Sequence, residues 1–394
     1  MAKGAAARIA AAPARAAAVI ADDVSEGALR LKPCFDPLLL EGLDYAGRAV
    51  FFREAALGAK ARAAFEAGDI RAALLALPPE RVAHLPFPAA FLGPQGAAPP
   101  PGAPRAPLGR IAAVIPNRER PELLRAAVAA LRGEPERPAI VIVDNGSEGA
   151  ETRALYDALA TEPDVAVERR PAPFNFAAMV NRGVEIARAR FDPAAFLLLN
   201  NDISAPALGW LAPMAETLAA PKVGVVGAKL LFPDGTIQHA GVIVGHGGVA
   251  GHEGKGAAAD WPGLCGRMAA PHLREAVTAA AMLVRVEAWE ALDGFDARAF
   301  PVAFNDVDFC MRAGAAGWRV ALDPRAVLTH HEGVSRKGPF RLGRFLAHQA
   351  ERTALRLRHR TIGRADRFES PWRDLETLGE IVLRTPRREP QIRF

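Results

Sequence analysis

From residue 111 onward, short apolar runs alternate with stretches of helical spacing. Residues 111–115 predict a strand, 116–120 a loop, and Pro121 the first residue of a helix reaching about Leu131. Residues 140–143 predict the next strand, which stops at the turn Asp144-Asn145-Gly146-Ser147. Helices are expected over 151–159, 177–189 and 208–219. At 196–202 the apolar run FLLLNND ends abruptly on two amides and a carboxylate. Such a run reads as a buried strand of a parallel sheet whose polar end falls at the carboxyl edge, where open α/β sheets bind ligands. A turn capping the next helix accounts for the same three residues equally well. Strands alternating with helices predict an α/β fold with right-handed crossovers.

The stretch before residue 93 has a different pattern. Residues 54–77 read as one or two amphipathic helices separated near Gly68-Asp69, so residues 1–92 are expected to be a mainly helical accessory domain. Residues 93–107, GPQGAAPPPGAPRAP, cannot form a regular element and predict a linker. The expected organisation continues with a main domain over 108–338 and a basic, partly helical extension over 339–394. No G-x-G-x-x-G follows the first strand, which argues against a dinucleotide site. The Gly-rich stretch at 241–256 lacks phosphate-loop spacing and reads as a mobile loop.

Composition narrows the function class. Three scattered cysteines, Cys34, Cys265 and Cys310, exclude a disulfide framework and a cysteine zinc site, and fit a reducing cytoplasm. No apolar run approaches the roughly 18–20 residues of a membrane helix. Arg8 and Arg15 interrupt the Ala-rich start, so a secretion signal is not expected. The net charge of +5 is uneven, because from Arg336 onward fifteen Lys and Arg face seven Asp and Glu. If that tract is helical, Arg352, Arg356 and Arg360, with Arg358 and Arg364 nearby, form a stripe suited to peripheral contact with an anionic membrane. A solvated helix face is the plainer reading. Nucleic acid is not expected, since no aromatic residues interleave with the arginines.

Candidate chemistry gathers at strand ends and helix starts: Asp144, Asp202 and the pair Asp306/Asp308 in FNDVDFCMR. A base, a metal ligand and a further acid are what metal-assisted transfer to a hydroxyl requires, although helix dipoles alone also favour carboxylates there. His330-His331 after a short apolar strand are a further candidate metal ligand, or an ordinary surface or core pair.

Nine ordered segments then carry a resemblance: IPNRERPELL (115–124), IVDNGS (142–147), PFNFAAMVNRGV (173–184), LLLNND (197–202), VGAKLLFPDGTIQHAGV (226–242), VTAAAMLVR (277–285), GFD (294–296), AFNDVDFCMR (303–312) and HHEGVSR (330–336). The chain resembles family 2 glycosyltransferases of the GT-A fold, and within them the bacterial O-antigen and rhamnosyltransferase-like members. The resemblance implies a Rossmann-like, mostly parallel sheet flanked by helices. It assigns the nucleotide-sugar pocket to Pro116, Arg118, Asp144, Asn175, Asn181 and Asn201, with Asp144 accepting a hydrogen bond from a pyrimidine base. Asp202 matches the last residue of the family's D-x-D metal motif, and His331, before His330, matches a histidine that helps hold the metal or diphosphate. Asp306 matches the acid that deprotonates the acceptor. Lys229, Asp234, Gln238 and His239 lie in a segment typical of the subgroup without an assigned role. Two positions depart from the pattern: Asn200-Asn201-Asp202 leaves one charged metal ligand, and Asn305 stands where many relatives carry Glu.

The resemblance therefore implies an inverting, metal-dependent glycosyltransferase using Mn²⁺ or Mg²⁺ and a dTDP- or UDP-sugar, with dTDP-rhamnose favoured by the subgroup. Its acceptor is expected to be a polysaccharide or lipid-linked glycan, and its place the cytoplasm or the inner face of the cell membrane. A nucleotidyltransferase and a catalytically silent nucleotide-sugar or glycan-binding module are the alternatives. The first would need a Gly-rich signature that IPNRERPE lacks, and the second is disfavoured by intact Asp144, Asp202 and Asp306.

Overall fold

A computed structural model describes residues 1–25, 28–92, 105, 108–331, 342–374, 376–383 and 391–394. Of the expected linker at 93–107 only Arg105 is among them, and residues 332–336 of the HHEGVSR segment lie outside them. The chain divides into two compact units. One comprises 1–103, 260–273 and 365–394, and the other 104–259 and 274–364.

The first unit is not mainly helical. Its centre is a four-stranded sheet in which Ala18–Ser25 pairs antiparallel with Ala28–Arg30 and Val50–Phe52 and parallel with Val82–Leu92. Short helices Pro37–Gly42, Ala59–Glu66 and Ile70–Leu75 pack with it around Ile20, Leu39, Leu40 and Leu74. Ala-rich sequence is weak evidence for a strand, and here pairing on several sides overrides that propensity. The strand also carries Asp22 and Asp23 into the interior. Lys32 Nζ meets Asp23 Oδ2 at 2.6 Å, His84 Nε2 meets Asp22 Oδ1 at 3.0 Å, and all four side chains are fully buried. Pairing of this kind offsets desolvation without guaranteeing a net gain. Residues 365–394 belong to this unit, so the expected C-terminal extension is not one element.

The second unit holds the α/β architecture that the resemblance implied. Its sheet runs through Arg319–His330, Val223–Leu231, Ala281–Arg285, Ala195–Leu199, Ile111–Asn117, Ala139–Asp144 and Val165–Arg169. The last four strands are mutually parallel, as are Arg319–His330 and Val223–Leu231, and Ala281–Arg285 is antiparallel to its neighbour on either side. Ile111–Asn117, Ala139–Asp144 and Ala195–Leu199 are buried at every position, which explains their unbroken apolar runs. Helices Pro121–Arg132, Ala150–Leu159, Phe176–Phe191 and Leu211–Leu218 match their predicted places within a few residues.

One expectation fails in this unit and a second is met only in part. Residues 241–256 are not a loose loop: Val242–Val244 and Ala250–His252 form an antiparallel hairpin with Val242, Ile243 and Val244 buried. The glycines serve the turn, where Gly245 has φ 102° and a Cβ would lie 2.4 Å from the Arg364 carbonyl oxygen. Two arginines of the expected stripe have partners within the unit, while Arg360, just past the helix end, is exposed. The tract is helical over Leu342–His359, but Arg352 and Arg356 donate to the carbonyls of Gly247 and Gly248 at 3.2–3.3 Å, and Arg358 pairs with Asp308 and Asp296. Among the described residues no helix is long and apolar enough to cross a membrane.

Gly183 sets the approach of the Phe176–Phe191 helix to the sheet, since a Cβ there would lie 2.3 Å from Val114 Cγ1 and 3.1 Å from Val143 Cγ2. Gly183→Ala gains about 1 kcal/mol of helix propensity, whereas overpacking a core costs about 1–3 kcal/mol. β-branched valines on both neighbouring strands have little freedom to yield. The variant is expected to be less stable by up to about 2 kcal/mol, measured as a lower urea midpoint with unchanged slope; a raised midpoint would refute the close-packing account.

Candidate active site

Asn117 and Asp144 end neighbouring parallel strands in direct register, and the chain turns immediately after each. The Asp144 carboxylate accepts from the backbone N–H groups of Gly146 and Ser147 at 3.0–3.2 Å, from the Ser147 hydroxyl, and from the Tyr156 hydroxyl at 2.9 Å. A carboxylate offers about four acceptor sites, and this set occupies them. The geometry makes Asp144 the anchor of the 144–147 turn. Burial pushes the Tyr156 phenol up to about 12, so it remains a hydrogen-bond donor. Tyr156 also receives the Asn117 amide at 2.6 Å, and the Asn201 amide donates to Asn117 Oδ1 at 2.6 Å. Asn201 is thereby tied to the first strand end. Pro116 sits opposite Val143 inside the sheet, and Arg118 is exposed in the loop that follows.

Asn175 and Asn181 are engaged in holding the backbone. Asn175 caps the Phe176–Phe191 helix by accepting from the Ala178 N–H at 2.9 Å, and its amide donates to the Ala297 carbonyl. Asn181 donates to the Phe295 carbonyl at 2.8 Å and accepts from the Phe295 N–H at 3.0 Å. Asn181 thereby ties this helix to the GFD segment itself, and Asn175 ties it to the residue that follows GFD.

The NND segment faces a histidine, and it is His330 that meets Asp202. His330 Nε2 lies 3.0 Å from Asp202 Oδ1 and 3.3 Å from Asn200 Nδ2, while Nδ1 lies 2.6 Å from Gln238 Oε1. The His331 ring instead pairs with the Ser204 hydroxyl at 2.9 Å, contrary to the order of preference expected for the two histidines. The Gln238 contact fixes the His330 ring orientation. Its neighbour His239 is held well below the usual imidazole range by burial and by the nearby His252, Arg274 and His330.

Among the described residues no three His, Cys, Asp or Glu side chains converge as a metal site. What converges is one carboxylate, one imidazole and one amide, and the buried Asn200 Oδ1 accepts no hydrogen bond from the described residues. Two oxygen donors and an imidazole fit a hard divalent ion that draws its remaining ligands from elsewhere.

The adjacent pocket, of ≈ 360 Å³, is lined by Asn200, Gln238, His330, His252, Phe304 and Asp306 among others. Asp306 stands in the first turn of the Asn305–Ala315 helix, accepting from the Ala279 N–H at 3.0 Å and the Val307 N–H at 2.8 Å. Two backbone donors leave capacity on this carboxylate for an incoming hydroxyl. Asp308 is different: it is fully buried and paired with Arg312, Arg358 and His359. Burial pushes its carboxyl up, but these partners outweigh burial and hold it below the usual range. Asn305, at the position of the family's second acid, donates to the Val302 carbonyl at 3.2 Å and is buried.

Residues 112–240 match the family described as Glycosyl transferase family 2. A protein of Sinorhizobium fredii, y4gI, is 35% identical over 283 residues, covering 70% of this chain and 30% of that protein. The O-antigen biosynthesis protein RfbC of Myxococcus xanthus is 35% identical over 237 residues, 58% of this chain and 18% of its own. The pre-mycofactocin glycosyltransferase of Mycobacterium tuberculosis is 29% identical over 235 residues, 58% of this chain and 44% of its own. The chain thus spans less than half the length of each of these relatives. The four mutually parallel strands and the NND edge lie inside the segment that matches Glycosyl transferase family 2, and Asp306 stands beyond it in the same unit.

Proposed function

We propose that the second unit is an inverting glycosyltransferase that moves a sugar from a nucleotide-diphospho-sugar to a hydroxyl of a polysaccharide or lipid-linked glycan on the cytoplasmic side of the membrane. The observation that carries this reading is Asp306, a carboxylate with spare acceptor capacity in the same pocket as Asn200 and His330. Asp306 takes the proton of the acceptor hydroxyl. The acceptor oxygen then attacks the anomeric carbon, the bond to the diphosphate breaks, and the configuration inverts. Asp202, His330 and Asn200 are the residues that would hold a divalent ion, Mn²⁺ or Mg²⁺, which when bound neutralises charge on a diphosphate. Asp144, through Ser147 and Tyr156, keeps the base side of the pocket in shape. The donor is a dTDP- or UDP-sugar, with dTDP-rhamnose the first candidate by resemblance. The relation to an O-antigen biosynthesis protein supports a surface-glycan acceptor. Incubation with a panel of nucleotide sugars and Mn²⁺, scored for nucleotide release with and without glycan acceptors, tests the whole reading; no release from any donor would leave a binding module.

Asp306→Asn keeps the shape but cannot take a proton. Turnover is expected to fall by on the order of 10²–10⁴, with donor affinity within a few-fold of wild type; wild-type turnover would move the base elsewhere. Asp202→Ala is expected to remove most of the Mn²⁺-dependent part of UDP or dTDP binding in calorimetry, and EDTA should do the same to the wild type. Binding that is indifferent to both would sink the metal assignment. Asp144→Ala leaves Ser147 and Tyr156 without their buried acceptor, costing about 1–3 kcal/mol of stability. Because the turn shapes ground-state binding, the donor KM should rise more than kcat falls, and a pure kcat defect would contradict this.

A further inference from the structure

The Leu342–His359 helix lies well beyond the segment matched to the family, yet it holds two loops that wall the pocket. Glu351, 4% exposed, accepts through Oε2 from the backbone N–H groups of Val302, at 3.1 Å, and Ala303. One turn earlier, the His348 ring stacks on Phe304 with centroids 5.4 Å apart and planes at 29°. On the other side, Arg352 and Arg356 bind the Gly247 and Gly248 carbonyls at the tip of the hairpin that carries His252. Val302, Ala303, Phe304 and His348 all line the pocket that contains Asp306.

The loop held this way is strained where it matters. Phe304 has φ 60°, a left-handed backbone that a bulky side chain adopts only when its surroundings impose it. It is the residue that enters the Asn305–Ala315 helix, two positions before Asp306. Glu351 fixes the two amides that precede Phe304, and His348 fixes its ring.

Resting on the proposed glycosyltransferase reading, the geometry points to this helix as the acceptor-side wall of the site, with Glu351 as a positioning residue. Glu351 holds the 302–304 loop so that Asp306 meets the acceptor hydroxyl in line, and the stacked Phe304–His348 pair presents an apolar face on which a sugar ring can lie. Loss of Glu351 therefore affects transfer far more than nucleotide binding. The competing account, in which the helix only contributes to stability, predicts no such split.

The test uses the full chain as wild type, Glu351→Ala, Glu351→Gln and His348→Ala, with thermal melts to confirm folding. Each is assayed for UDP binding with Mn²⁺ and for turnover of whichever donor in the panel the wild type cleaves. For Glu351→Ala, kcat is expected to fall about 10- to 100-fold, the scale of a small misplacement of reacting groups, with UDP affinity within about twofold of wild type. Glu351→Gln, whose amide oxygen still accepts both N–H groups, should recover most of that loss. His348→Ala should lower kcat several-fold without touching UDP affinity. Hydrogen exchange at 302–308 should rise in Glu351→Ala and not in Glu351→Gln. Equal loss in the Ala and Gln variants, parallel loss of UDP binding and kcat, or wild-type kcat in both Glu351→Ala and His348→Ala would overturn the inference. If Glu351→Ala fails to fold, wild-type kcat in His348→Ala alone overturns it. A wild type that cleaves no donor overturns the parent reading, and this one falls with it.

Discussion

The parallel register of Ile111–Asn117 with its two neighbours is the constraint on which the rest of the site depends. Asn117 stands opposite Asp144 on one side, and Val114 stands opposite Leu198 on the other. Continuing that second pairing by three residues brings Asn117 level with Asn201, where their side chains do bond. A parallel ladder keeps the strands aligned in direction, so all three chains run out of sheet at one edge. A slip of one residue would turn Asn117 and Asp144 to the opposite face and bury the wrong atoms. The polar edge is thus a consequence of strand pairing, and the buried runs before it enforce the register.

At that edge, carboxylates of similar sequence context divide into two kinds by what surrounds them. Asp144 and Asp308 are buried and filled with donors, from a turn in one case and from Arg312, Arg358 and His359 in the other. Groups like these hold backbone and helices in place, and removing them leaves buried donors without acceptors. Asp306, only two residues from Asp308, has two backbone donors and faces a pocket. One helical turn carries both, and the helix rotation alone sends one inward and the other to the pocket. Asp202 meets His330 because the strand Arg319–His330 pairs with Ile203–Ser204 in a register that sets His330 opposite Ile203.

Charge on the C-terminal helix follows the same logic. Arginines that would form an external stripe by helical periodicity are drawn onto backbone carbonyls and buried carboxylates of the second unit. Charge-assisted bonds of this sort are stronger than the neutral bonds they replace, which is why the helix is bound to the unit at several points. In the first unit the buried Asp22 and Asp23, paired with His84 and Lys32, are carried on a strand that composition alone would not have identified.

Much of the second unit was legible in the sequence because fully buried strands, a proline at a helix start and helical spacing each leave a local mark. Those marks located the strands Ile111–Asn117, Ala139–Asp144 and Ala195–Leu199 and the helices between them, although the first strand runs two residues into the loop expected at 116–120. What local pattern could not reach was partnership. Whether Asp144 faces a ligand or its own turn depends on Tyr156, twelve residues on, which carries no signal of that role. Whether His330 or His331 meets Asp202 depends on the pairing of two strands about 130 residues apart in the chain. The hairpin inside the Gly-rich stretch, the sheet inside the Ala-rich N-terminal unit and the fate of the arginines were decided the same way. Sequence determined which segments are buried and which polar groups end them, because burial and capping act over a few residues. Only the tertiary structure decided which of those polar groups face one another, because that is set by contacts between distant strands and helices.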